Sequence, residues 1–269
     1  MTRGRWATIA MCLLMAAAGQ ALAQTPLKRH HFAAGTEISH IKYEEPGVMK
    51  NEGILYGLVG SYTYRQGIMA RVEGKLAYGE LDYTGSTWGG TPLAIDNIPT
   101  FLMELRGTTG YDFPIGGPGF TLTPYLGLGY RWLNDHSQRR YAGGYERESN
   151  YLYAPIGLEA SIRLGQGWRL DLTGEYDLFI WGRQISRLSD VNRRLNDVEN
   201  DQDGGYGLRG SLRLSRMAAR VGFAVEPYIR YWDIDRSDLA LLTDGNEAVL
   251  VYEPDNRSTE IGLRFTVLF

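Results

Sequence analysis

The amino-acid sequence predicts an all-β chain, a single transmembrane antiparallel up-and-down β-barrel of about ten strands. Three observations predict it: apolar residues recur at every second position in long runs between Phe32 and Phe269, the links between runs alternate short and long, and aromatic residues gather at the run ends.

Residues 1–23 carry the three parts of a secretory leader: Arg3 and Arg5, an apolar stretch from Ala7 to Ala18, and Ala21-Leu22-Ala23 before Gln24. They are expected to be removed as a signal peptide, with 24–31 a periplasmic tail and 32–269 the barrel. The apolar stretch is shorter than the roughly 20 residues a membrane helix needs, and no later stretch approaches that length. The single cysteine, Cys12, lies in the leader, and Met11 before it is too large for a lipoprotein cleavage site. The barrel is thus expected to hold no disulfide and no cysteine metal site. Beyond the leader the chain carries 26 basic against 31 acidic residues, a net charge of −5, which argues against nucleic acid as a partner.

The predicted strands are 32–43, 52–64, 68–83, 98–113, 120–133, 149–164, 168–182, 205–215, 221–234 and 258–269. Ten is even, as a barrel with both termini in the periplasm requires. Links after even-numbered strands are short: Arg65-Gln66-Gly67, Pro114 to Gly119, Gly165-Gln166-Gly167, and Arg216 to Arg220. Those after odd-numbered strands are mostly longer: 44–51, 84–97, 134–148, 183–204 and 235–257. Short periplasmic turns with long outer loops give that sorting.

Within a run the two faces differ. Residues Phe120, Leu122, Pro124, Leu126, Leu128, Tyr130 and Trp132 oppose Thr121, Thr123, Tyr125, Gly127, Gly129 and Arg131. Trp168, Leu170, Leu172, Gly174, Tyr176 and Leu178 oppose Arg169, Asp171, Thr173, Glu175 and Asp177, and Ile261, Leu263, Phe265, Val267 and Phe269 oppose Glu260, Gly262, Arg264 and Thr266. Such faces also suit a sheet on a soluble core. The aromatic ends favour a membrane, where a ring can be half wet: Tyr62, Tyr64, Tyr111, Phe113, Phe120, Trp168, Phe223 and Phe269 on the periplasmic side, with Tyr43, Tyr83, Tyr130, Trp132, Trp181, Tyr206, Tyr231 and Trp232 on the outer side.

If the apolar faces meet lipid, the lumen holds Glu37, Glu73, Glu104, Glu159, Asp171, Glu175, Asp177, Glu226 and Glu260 with Arg71, Lys75, Arg106, Arg131, Arg163, Arg169, Arg209, Arg213, Arg230 and Arg264. Near balance predicts a cross-linked polar network, because an unpaired buried ion costs several kcal/mol. A barrel this narrow can be filled by side chains, whereas water-filled porins use about 16 or more strands.

No catalytic, cofactor or metal residue is assigned. His30 and His31 are expected in the tail. His40 beside Ser39, and His136 beside Ser137, lie near outer strand ends, but adjacent strand residues leave on opposite faces and form no nucleophile–base pair. Asp197, Glu199, Asp201 and Asp203 before Gly204 alternate like a calcium loop, yet the twelfth position from Glu199 is Gly210, where the closing acid belongs. A mobile acidic loop is expected there, one that holds calcium weakly at most.

Through Tyr125 to Trp132, Tyr151 to Ser161, and Glu175 to Arg183, the chain resembles the omptins, ten-stranded outer-membrane proteases. That resemblance implies a water activated between an Asp–His pair on the fourth outer loop and an Asp pair on the opposite wall. The fourth loop here offers Ser189-Asp190 and Asn196-Asp197 without a histidine, and none follows His136, so the family's base is missing. Asp82 with Asp135-His136 is the alternative acid–base set. The segment Tyr43 to Lys50 resembles porin-like, opacity-type surface barrels whose loops bind partners, and the strand ending at Phe269 resembles the C-terminal signature read by the barrel assembly machinery.

The sequence therefore points to a non-enzymatic bacterial outer-membrane barrel with a structural or surface-interaction role and a salt-bridged lumen. Outer-membrane lipid and lipopolysaccharide are the expected surroundings, and the ligand of the loops stays open. A narrow porin-like channel for ions or small solutes is the first alternative, and an omptin-like surface hydrolase with a divergent site the second.

Overall fold

The computed structural model describes residues 29–269 except Trp88, Pro118 and Ala219, so the predicted signal peptide and most of the predicted tail lie outside the described residues. Its strands are β1 (His30–Glu45), β2 (Met49–Gln66), β3 (Ile68–Ser86), β4 (Pro92–Tyr111), β5 (Phe113–Pro114), β6 (Phe120–His136), β7 (Glu146–Gly165), β8 (Trp168–Ser186), β9 (Val198–Gln202), β10 (Gly205–Ala218), β11 (Val221–Ile234), β12 (Ala240–Thr243), β13 (Ala248–Val251) and β14 (Asn256–Leu268).

Hydrocarbon offers backbone N–H and C=O groups no partner, so a strand can cross it only inside a closed sheet. That closure is present. Neighbours run β1-β2-β3-β4-β6-β7-β8-β10-β11-β14, all antiparallel, and β14 returns to β1 with Glu37 opposite Arg264. At the seam the Phe269 N–H donates to the Phe32 carbonyl at 2.9 Å. β5 prolongs the β4 wall and β9 prolongs the β10 wall, giving the ten walls the sequence predicted.

The apolar faces point outward as expected: Leu126 is 60 % and Leu172 57 % exposed, whereas Thr123 and Asp177 opposite them are fully covered. Periplasmic turns are tight. Gly67 alone joins β2 to β3 at φ 76°, and Gln166-Gly167 join β7 to β8.

Three expectations need correction. The strands reach further outward than the apolar runs: β4 and β7 have 20 residues each, where about 9 to 11 suffice to cross the hydrocarbon. The wall stands beyond the lipid, where the outer face turns polar and alternation fades. The first outer loop accordingly shrinks from 44–51 to Pro46-Gly47-Val48. β1 also begins earlier than predicted, so His30 and His31 belong to the sheet rather than the tail; His30 pairs with Tyr64, and its ring stacks near Tyr62 at 6.0 Å.

Second, Tyr43 and Trp232 are not in the outer aromatic belt. They share strand parity with Glu37 and Arg230 and are buried inside the barrel, and Tyr83 packs inward beside them. Third, the outer half of the lumen holds apolar clusters beside its polar groups. Ile41, Met49, Leu55, Leu81, Leu102 and Leu133 form one inner cluster, and Tyr151, Tyr153, Phe179, Trp232 and Ile234 form another.

Replacing Leu126 or Leu172 by Arg should therefore lower stability by about 2–4 kcal/mol, read as a fall in the urea midpoint of the barrel refolded in phosphatidylcholine vesicles. No change would mean that this face is not in lipid.

Candidate functional site

Parity places charged side chains from most of the walls in the periplasmic half of the lumen, and the barrel is narrow enough for side chains of opposite walls to touch. Arg106 of β4 donates through Nε to Glu73 at 2.8 Å and grips Glu175 of β8 with both terminal nitrogens, at 2.6 and 2.9 Å. Arg209 of β10 grips Glu104 of β4 in the same two-pronged way, at 3.0 and 2.5 Å, while its Nε reaches Asp177. Arg230 lies 3.5 Å from both Glu104 and Glu260, and Lys75 bridges Glu37 and Glu260. Arg264 meets Glu37 at 3.0 Å and Glu226 at 3.7 Å.

A second cluster lies nearer the periplasm: Glu159 accepts from Arg65, Arg71 and Arg169, and Asp171 from Arg169 and Ser161. Fork-on-carboxylate geometry suits Arg, and each pair offsets the desolvation of two ions.

The tyrosines that complete this lattice were not evident in the sequence. Tyr125 donates to Glu175 at 2.7 Å, Tyr153 to Glu104 at 2.8 Å, and the Tyr228 hydroxyl lies 2.9 and 2.8 Å from Glu37 and Glu260. Each ring lies flat over the glycine directly opposite on the next strand: Tyr125 over Gly157, Tyr153 over Gly129, Tyr228 over Gly262. A Cβ at those glycines would come within 2.3, 2.1 and 2.6 Å of the ring. The glycine is thus what lets the hydroxyl reach its carboxylate, a cross-strand pairing that also fixes register.

Not every predicted member joins. Arg131 is buried higher in the barrel, its guanidinium 5.6 Å from the Tyr151 ring, and has no carboxylate partner among the described residues. Arg163 is exposed toward the periplasmic end. Conversely Arg65 and Asp112, 2.9 Å apart, enter the lattice from positions next to turns, where alternation gives no signal. A cavity of about 80 Å³ remains among these side chains.

The last outer loop, 235–255, folds onto the outer mouth. From between β11 and β14 it packs Leu242 on Leu188 and Val198, accepts from Asn200 and Gln202 through its carbonyls, and inserts Glu253 at the centre. Arg147 of β7 donates to Glu253 and to Glu45 of the opposite β1, both at 2.6 Å, and Tyr43 lies alongside. Burial pushes the Glu253 carboxyl up to about 7 against the pull of Arg147, and Glu45 adds to the rise.

The acidic fourth segment is an ordered strand rather than a mobile loop. Glu199 and Asp201 face outward onto Arg183 at 2.8 Å each, while the inward positions are Val198, Asn200 and Gln202. Asp82 accepts from the Asn97 N–H on the outer face, Asp135 leaves β6 inward, and His136 leaves it outward beside Phe101, 3.5 Å from Glu146. Those three do not converge. Among the described residues no group of three His, Cys, Asp or Glu side chains is placed to hold a metal ion.

Arg209→Ala should cost about 3–5 kcal/mol because Glu104 and Asp177 lose their cation inside the barrel, whereas Arg163→Ala should stay within about 0.5 kcal/mol; urea unfolding of both variants checks the contrast. Glu253 titrates higher in the folded barrel than its ordinary 4.5, so its stabilising contribution is complete below pH 4.5 and is lost as pH rises through about 7. The loss is on the order of 3 kcal/mol. Hydrogen-exchange protection of 235–255, corrected for intrinsic rate, should fall between pH 5 and pH 8 in the native chain and stay level in Glu253→Gln.

Residues 9–190 match the family model of the outer membrane protein beta-barrel domain. Among solved structures the chain is similar to the outer membrane protease OmpT from Escherichia coli, at 12 % identity and TM-score 0.66, covering 93 % of this chain and 99 % of that one. It also matches the translocator domain of the autotransporter NalP from Neisseria meningitidis at 12 % identity and TM-score 0.42, covering 96 % and 95 %. No curated protein matches it. The first likeness shows a shared fold and no more. With the ring closed and the family model matching more than half the sequence, the chain belongs to the outer membrane β-barrel family and resides in the bacterial outer membrane.

Proposed function

We propose that this protein is a closed, non-enzymatic barrel whose interior holds the wall together and whose outer rim serves contact with the surroundings of the cell. One observation supports the reading: ion pairs such as Arg106–Glu175 and Arg209–Glu104 cross the lumen, and the last outer loop pins Glu253 between opposite walls. A conducting pore needs a wetted path, and a hydrolase needs an acid and base converging on one water; the mouth presents Asn200 and Gln202 instead, with their side chains engaged by the loop.

The rim is suited to contact. The β12–β13 hairpin turns Leu239, Leu241, Leu250 and Tyr252 outward, each about half exposed or more. Lipid and lipopolysaccharide surround the belt below, and the assembly machinery receives the strand ending at Phe269.

The protein refolded in detergent should run as a heat-modifiable band and remain silent in planar bilayers. Discrete current steps from the same folded sample would make transport the function, and their loss in Arg209→Ala or Glu175→Ala would place the path in the lattice.

A further inference from the structure

Besides Arg131, a guanidinium lower in the lumen is left over by the lattice. Arg213 of β10 points into the lumen, its Nε is shut off from solvent, and among the described residues that atom has no hydrogen-bond partner and the side chain no ion pair. Its neighbours explain why. Asp171, directly opposite on β8, gives its Oδ1 to Arg169 at 2.5 Å and Ser161 at 2.6 Å, and Glu226 lies 3.7 Å from Arg264, so both attract Arg213 through space without bonding to it. Arg213 also lines the 80 Å³ cavity, together with Arg106, Arg209, Arg230, Arg264 and Lys75, each of which is already ion-paired to a carboxylate.

A guanidinium whose Nε is shut off from water with no acceptor is costly, and an anion bound beside it offsets part of that cost. The space is adequate: one water needs about 10–15 Å³ of such volume, so the cavity admits a small anion together with water. A guanidinium fork with a free Nε matches the paired oxygens of a tetrahedral oxyanion. We infer that the lumen cavity beside Arg213 is a binding site for a small inorganic oxyanion of the phosphate class, which completes the charge lattice. This goes beyond the closed-barrel reading and does not depend on it, since an occupied site is compatible with a silent or a conducting lumen.

The test uses the full barrel refolded in maltoside micelles, which contain no phosphate, with sodium phosphate as probe and chloride replaced at fixed ionic strength. Phosphate should raise the urea midpoint saturably, and at ten times its dissociation constant the unfolding equilibrium should shift about elevenfold toward the folded state. Arg213→Gln should lose that response and, without phosphate or chloride, be at least as stable as the native chain. An equal response in native chain and variant, or none in the native chain, would overturn the site. Saturation by chloride as well as by phosphate would overturn the oxyanion selectivity. Should Arg213→Gln fail to fold, the phosphorus resonance of phosphate decides on the native barrel alone: broadening that saturates at one ion per chain and is reversed by sulfate supports the site, and an unbroadened line overturns it.

Discussion

The structure depends on pairing ions across the lumen. Ten strands enclose a space far narrower than that of a water-filled porin, so side chains meet from opposite sides. Long charged side chains span that distance, but only if each finds a partner, because an ion stranded there costs several kcal/mol. The two-pronged grips of Arg106 on Glu175 and Arg209 on Glu104 join β4 to β8 and β10, walls that share no backbone hydrogen bond. The sheet closes the ring; these struts hold its cross-section.

The interior changes character along its axis, and that follows from what surrounds it. Where lipid lies outside, the inner face carries the charges and the outer face the apolar residues. Higher up the wall has water outside and can place apolar residues inward, as Ile41, Leu55, Leu81 and Leu102 do, so that this portion packs like the core of a soluble barrel. Arg147, Glu45 and Glu253 then cap it with a second, smaller ion cluster beneath the last loop.

This layering sets how much was legible in the sequence. Alternation of period two names two faces and their order, so strand number, closure and the lipid-facing set could be read directly. It does not say where the lipid ends, and the strands were accordingly drawn short at their outer ends. Tyr43 and Trp232 were assigned to the belt by their place at strand ends, although their parity with Glu37 and Arg230 already turned them inward. The Tyr–Gly pairs that orient the carboxylates are a property of register between strands, which no single run contains. Arg65 and Asp112 sit beside turns, and Glu253 belongs to an irregular loop whose docking is set by tertiary contacts, so periodicity is silent on all three.

The fold is shared with a protease at TM-score 0.66, and which side chains stand at the outer end here depends on the face each one takes. In the fourth outer segment the carboxylates of Glu199 and Asp201 alternate with Asn200 and Gln202, and the strand presents the amides to the mouth. An amide neither accepts nor gives a proton near neutral pH, and here its role is to bind the carbonyls of the covering loop. A one-residue slip of β9 would reverse the two rows, but Val198 is buried against Leu188 and Leu242 and holds the register. The packing of β9 against the last loop thus also keeps Glu199 and Asp201 on the outer face.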